Sequence, residues 1–301
     1  MSVPIAFIAV ILIWSTTPLG IKWSGEGVSF MFAVTTRMII GTIGCLMLVW
    51  LTRGKMLWHK RAVQSYLAAG LGIYGAMSFV YWGAQFIPSG LISVIFGLTP
   101  LITGLMAALW LNESSLTAMK LLGMASAFSG LFMIFGGNGV NVDMDTLLGM
   151  LALLLAVIIH SLSTVWVKKI SAGLPVISMT GGSMLVALPL YLITWYFVDG
   201  GLPQTVPIRS MLSILYLGVF GSVLGFILFF YVLQRVEAGR VGLIPLITPV
   251  SALFLGLTLN NETIPTVVWS GTGFILTGMA LYQWGDRLFG LGNRATVPDE
   301  T

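Results

Sequence analysis

Charge is the scarcest feature of this sequence. Only 8% of its residues are Asp, Glu, Lys or Arg, against about a quarter in an ordinary soluble domain. A water-soluble globule of 301 residues would lack the polar side chains to dress its surface. This excludes a soluble enzyme, a nucleic-acid binder and a disordered chain. Cysteine is down to one, Cys45, so no intramolecular disulfide can form, and its apolar surroundings make it a small packing residue. There is no Walker motif, no His/Cys ligand cluster and no HExxH, so ATP hydrolysis by this chain is unsupported, and no cofactor or metal is implied. Carboxylates are missing from the middle of every long apolar run; Glu113, Glu237 and Glu262 are all terminal to one. A proton antiporter for cations usually needs such a buried acid, so a neutral or zwitterionic cargo fits better.

What is abundant is apolar sequence, 57% of residues, with a mean hydropathy of +0.99. The runs are long and lack period-two alternation, which points to spanning helices rather than barrel strands. We read an all-α integral membrane protein with ten transmembrane helices at 3–22, 28–52, 63–84, 90–111, 117–136, 146–168, 176–198, 210–233, 239–259 and 265–284. The first run has no basic region before it and is expected to be a retained span, not a signal peptide. With the N-terminus in the cytoplasm, 11 of the 14 basic residues fall on the inner side, two (Lys22 and Arg209) fall outside, and Arg37 lies within a span. This is a strong positive-inside bias, and both termini are expected in the cytoplasm.

The chain also repeats itself. A slide of 149 residues brings Gln85 onto Gln234, Thr99-Pro100 onto Thr248-Pro249 and Asn112-Glu113 onto Asn261-Glu262. A slide of 146 brings Ser15 onto Ser161, Lys22 onto Lys168 and Trp14 onto His160. Each copy holds five spans, an odd number, so the second must enter the membrane from the opposite side. The expected division is 1–139 for the first five-helix repeat, 140–290 for the second and 291–301 for a short cytoplasmic tail. Two inverted repeats place a substrate near the membrane midplane, between the halves.

The residues Pro88-Ser89-Gly90-Leu91-Ile92 through Leu98-Thr99-Pro100-Leu101, Leu111-Asn112-Glu113-Ser114, Leu122-Gly123 and Gly130 have a second copy. It runs from Glu237-Ala238-Gly239 through Ile247-Thr248-Pro249-Val250, Asn260-Asn261-Glu262-Thr263, Gly271 and Gly278. With the opening Ile13-Trp14-Ser15-Thr16 and Lys22, this pattern resembles the EamA-type branch of the drug/metabolite transporter superfamily, over residues 3–285. The resemblance implies a ten-helix carrier of the bacterial inner membrane, often an exporter of amino acids or other small metabolites. The four-helix multidrug relatives of the superfamily use a glutamate in their first helix. Here that region reads Ile13-Trp14-Ser15, which sets cationic drug export aside.

Candidate site residues follow from where polarity interrupts the spans. Tyr74, Ser78, Tyr81 and Gln85, at i, i+4, i+7 and i+11, share one face of the third span. That face should turn to the bundle interior and line a wet cavity, with interhelical hydrogen bonding as the plainer alternative. Their mates Val223, Ile227 and Phe230 are apolar, so one half would supply polar contacts and the other an apolar wall. Trp14 with Ser15, and His160 with Ser161, lie well inside the first span of each repeat. Trp14 is expected to stack on cargo and His160 to line the cavity or couple protons. Arg37 is expected either to meet a substrate carboxylate or to bind carbonyls or snorkel. Pro100 and Pro249 are expected as hinges for alternating access or as static kinks. Paired small residues such as Gly41 with Gly44 and Gly271 with Gly273 read as packing.

The expected function is therefore a carrier of small organic metabolites, an amino-acid or related efflux protein, working as a monomer in the lipid bilayer. The alternative is an intramembrane enzyme acting on a lipid or other hydrophobic substrate, which would need a partner for His160.

Overall fold

Backbone N–H and C=O groups in lipid must be satisfied internally, and a helix does this segment by segment. The computed structural model describes residues 2–111, 117–136, 143–237, 241, 244 and 248–288, with backbone alone at 135, 136, 287 and 288. The turn at 136–139, the pair Asn112-Glu113, the segment with Gly239, Arg240 and Pro245, the 139/140 division and the tail from 291 lie wholly or partly outside the described residues.

Among the described residues the elements are α1 (Val3–Ser24), α2 (Phe30–Leu51), α3 (Lys60–Gly83), α4 (Ser89–Phe96), α5 (Thr99–Trp110), α6 (Ala118–Gly136), α7 (Met144–Ile170), α8 (Val176–Val198), α9 (Ile208–Tyr216), a π-helical turn (Leu217–Leu224), α10 (Gly225–Leu233), α11 (Thr248–Leu259) and α12 (Thr266–Leu288). Local chemistry sets the starts. Pro4 sits in the first turn of α1, where a missing N–H costs nothing. Ser29 accepts the Met31 N–H at 3.1 Å, His59 the Ala62 N–H at 3.3 Å and Asp143 the Thr146 N–H at 2.9 Å. Seven segments are long and apolar enough to cross a membrane, counting α4 with α5 and α9 with α10 as one each. The other three spans fall on α6, α11 and α12. Large apolar side chains such as Trp50, Phe132 and Phe197 point outward, as a lipid-facing surface requires.

Two spans differ from the continuous helices expected of them. The fourth is broken between Phe96 and Thr99. Pro100 has no N–H to give the Phe96 carbonyl, and the Thr99 hydroxyl donates to it instead, at 2.6 Å. The eighth widens into the π-helical turn, which no sequence signal announced. It is rich in small residues, and α2 packs closely against it. A Cβ on Gly218 would meet Ile40, one on Gly41 would meet Ser222, and one on Gly44 would meet Val223.

The helix neighbours obey an internal two-fold. α3 packs on α7 as α9 and α10 pack on α1; α5 packs on α7 as α11 packs on α1; α3 packs on α8 as the π turn packs on α2. The pairs α2–α8 and α6–α12 are each related to themselves. The fold is thus two inverted five-helix repeats. Two lysines mark the symmetry in atomic detail. Lys22 Nζ donates to the carbonyls of Ala84 (2.8 Å) and Ile87 (3.1 Å). Its mate Lys168 donates to those of Leu233 (2.9 Å) and Val236 (2.6 Å), the positions 149 residues on. Each ammonium caps the C-terminal end of the third span of a repeat, where free carbonyls and the helix dipole favour a cation. The self-related seam of α6 and α12 is made of glycine backbones, Gly123 against Gly278 and Gly130 against Gly271.

Candidate substrate cavity

The first span of each repeat runs beside the two-fold, and its polar interruption falls in the same place in both. Pro18 removes the N–H that would bond the Trp14 carbonyl, so α1 is locally short of a hydrogen bond where Trp14 and Thr17 sit. Around this point lies a cavity of about 80 Å³, room for about three waters. α1 contributes Trp14, Thr17, Pro18 and Ile21; α2 contributes Arg37; α3 contributes Met77 and Val80; α4 contributes Ile92, Ser93 and Phe96. The second repeat adds His160 from α7, Phe226 from α10 and Thr248 from α11. Two repeat-related pairs line it, Trp14 with His160 and Met77 with Phe226. The cavity therefore straddles the pseudo-two-fold, next to the break of the fourth span and the Thr248-Pro249 start of α11.

Aromatic rings form one wall. Trp14 stacks on Phe229 with centroids 5.3 Å apart and meets His160 edge-on at 6.1 Å. His160 lies 5.4 Å from Phe229 and 6.4 Å from Phe96. Arg37 is the opposing charge. It is 2% exposed, its Nε donates to Ser222 Oγ at 2.9 Å, and Nη1 is 3.4 Å from the Tyr81 hydroxyl. Gly221 in the π turn leaves the guanidinium its space, since a Cβ there would lie 3.1 Å from Nη2.

A second, wider cavity of about 300 Å³ lies toward the end of the bundle, lined by Ile21, Lys22, Glu26, Tyr81, Gln85 and Asn260 among others. Ile21 borders both cavities, and Tyr81 touches Arg37 from the wider one. A polar lattice rims this end. The Glu262 carboxylate accepts the N–H groups of Ser89 (2.9 Å) and Gly90 (3.4 Å) and the amide of Asn260 (2.9 Å). Asn260 Oδ1 accepts from Trp23 Nε1 (2.8 Å) and Arg209 (3.3 Å), and Arg209 lies over the Trp23 ring and 3.4 Å from Glu26. Glu262 thus joins the start of α4 in the first repeat to the end of α11 in the second.

The structure brings Trp14, Arg37 and His160 together on the central cavity and places Tyr81 and Gln85 on the outer one. The hydroxyls of the remaining candidates lie within the helix bundle. Ser15 Oγ donates to the Ile11 carbonyl at 2.8 Å. Ser161 Oγ accepts from Thr103 at 2.9 Å. Tyr74 and Thr194 share a hydroxyl–hydroxyl bond of 2.7 Å, and Ser78 Oγ is buried beside Tyr191 without a hydrogen-bond partner among the described residues. Pro100 is the second residue of α5, and Pro249 is the second described residue of α11. Met77, Val80, Ile92, Phe96 and Phe226 line the cavity without having been singled out in the sequence, because apolar residues in an apolar chain carry no signal. The repeat slide holds one, since Met77 and Phe226 are mates.

Comparison with known proteins gives these features a common context. The EamA-like transporter family matches residues 1–136 and again 147–283. The chain is 25% identical over 283 residues to the uncharacterized transporter YoaV of Bacillus subtilis, covering 93% of this chain and 96% of that one. It is 26% identical to the protein PagO of Salmonella typhimurium, covering 93% and 94%. It is 25% identical to the uncharacterized inner membrane transporter YedA of Escherichia coli, covering 94% and 91%. A crystal structure with 18% sequence identity shares the fold over 96% of this chain and 98% of its own, with a TM-score of 0.71. The chain belongs to the EamA-like transporter family, in the drug/metabolite transporter superfamily, and is a multi-pass membrane transporter.

Proposed function

We propose that this protein is an inner-membrane carrier that exports a small organic metabolite, an amino acid or a close relative, by alternating access. The observation that carries this reading is the cavity on the pseudo-two-fold, lined by mates from both repeats and bordered by a broken helix. Rocking one repeat against the other would open such a site to each face in turn. Thr99-Pro100 and Thr248-Pro249 would serve as the hinges, because each proline withholds an N–H from its helix, and at the first of them the fourth span is interrupted. The charge bias supports cytoplasmic termini, and the name of YedA supports the inner membrane. We read the carrier as a monomer that needs the bilayer and no nucleic acid, cofactor or catalysis. An intramembrane enzyme would need a group to orient His160, whose described contacts are the rings of Trp14, Phe96 and Phe229.

The test is counterflow in proteoliposomes with a panel of amino acids, nucleosides and organic acids, at two pH values. Saturable exchange of at least one solute is expected. His160→Ala should raise its half-saturation concentration about tenfold, the loss of one well-packed binding contact. An absence of exchange for every solute would refute the carrier reading, and unchanged kinetics in His160→Ala would remove His160 from the site.

A further inference from the structure

We infer that the cavity takes a small apolar-bodied organic anion, with its carboxylate held by Arg37. This rests on the carrier reading and narrows its cargo from zwitterionic amino acids to their relatives that keep the carboxylate and lack the ammonium. Arg37 carries a charge that has no counter-charge beside it. Arg37 is 2% exposed, and the groups that take its N–H donors, Ser222 Oγ and the Tyr81 hydroxyl, are both neutral. The ion pair of Arg209 with Glu26 lies at the rim, away from it. Sequence gives the same answer for the whole chain, since all ten acids lie in loops, in the tail or at span ends, and none is level with Arg37 in the membrane. A buried guanidinium is costly unless it is paired. It offers five N–H donors in a planar fork that matches a carboxylate, and here the fork borders the cavity.

The remaining lining defines the rest of the ligand. Trp14, Met77, Ile92, Phe96 and Phe226 surround the space with apolar surface. They suit a short hydrocarbon body and offer no acid to a cationic headgroup. Arg37 is itself held in place by Ser222 and by the absence of a Cβ on Gly221, so its geometry is set before a ligand arrives, which favours tight binding.

The probes are three molecules of one carbon skeleton, namely isovalerate, isopentanol and isopentylamine, titrated calorimetrically into the purified full-length protein in detergent, with sodium chloride as a separate arm. Isovalerate should bind at least about tenfold tighter than the alcohol or the amine, the contribution of a charge-assisted hydrogen-bonded pair. Chloride at equal concentration should not displace it. Arg37→Gln should bring the three within about twofold of one another, and Arg37→Lys should keep the order with weaker binding. If Arg37→Gln fails to fold, the ranking on the natural protein decides alone. Equal binding of all three, no isovalerate binding, chloride competing on equal terms, or an anion preference that survives Arg37→Gln would each overturn the inference. Counterflow of uncharged or cationic solutes without isovalerate preference would refute the anion site and spare the carrier. Anion-selective binding with no counterflow of any solute would do the reverse.

Discussion

Replacing Lys22 and Lys168 with methionine, singly and together, tests the two-fold at its most exact point. Methionine keeps most of the unbranched stem and removes the ammonium. Each substitution strips two carbonyls of a charged donor: Ala84 and Ile87 in one case, Leu233 and Val236 in the other. A hydrogen bond to a charged group contributes about 1.5–3 kcal/mol when its partner is left unsatisfied. These carbonyls end helices close to the membrane surface, where water can replace part of the loss, so the lower end applies and each variant should lose about 2–4 kcal/mol. The two sites are far apart and share no partner, so the double variant should lose the sum, within about 0.5 kcal/mol. The assay is unfolding of the purified protein in detergent with increasing denaturant, followed by circular dichroism. The reasoning fails if either single variant shifts stability by less than about 0.5 kcal/mol, the range of an ordinary surface substitution. It fails equally if one site is costly and its mate is silent, because two lysines placed by one symmetry on equivalent carbonyls must behave alike.

Two further outcomes follow from packing and capping. Gly130→Leu should separate α6 from α12, since even a Cβ at 130 meets the Gly271 backbone; a loss above about 3 kcal/mol, or failure to accumulate in the membrane, is expected from overpacking of this size, and near-natural stability would show that the seam is loose. Asp143 accepts the Thr146 N–H at the start of α7, and these bonds hold its carboxyl below the ordinary value of 3.8. A folded-state value below the unfolded one means a contribution that is complete above pH 3.8 and is lost as the pH falls through the lower folded value. Thermal unfolding between pH 5 and about 2 should therefore show a smaller acid-induced fall in Asp143→Ala than in the natural protein, and parallel curves would remove the cap.

The architecture was open to reading because lipid imposes few choices. A run of apolar residues must be a helix, basic residues sort to one face of the membrane, and an odd-numbered repeat must invert. Arg37 and His160 stood out for the same reason, since an ionisable side chain in a span needs a purpose. The stripe Tyr74, Ser78, Tyr81 and Gln85 shows what periodicity leaves out. All four share a face of α3, but α3 has α2, α7 and α8 as neighbours as well as the cavity. Tyr74 and Ser78 meet Thr194 and Tyr191 of α8, Tyr81 meets Arg37 of α2, and Gln85 reaches the exposed helix end. Met77 and Val80, which turn to the cavity, are apolar and look like any other core residue. The π-helical turn was equally hidden, since its glycines are compatible with an ordinary helix and only the close approach of α2 and the Arg37 side chain gives them a reason.

The unlike mates on the axis carry a kinetic consequence. Were the two halves identical, the forms open to either side would be one object turned by the two-fold, with equal free energy and an idle population split evenly. Tryptophan facing histidine and methionine facing phenylalanine remove that degeneracy. A carrier of the proposed kind would then rest preferentially on one side when empty, and the bias would be set by the unlike pairs around the cavity together with the π-helical turn that stands where the mate α3 is regular.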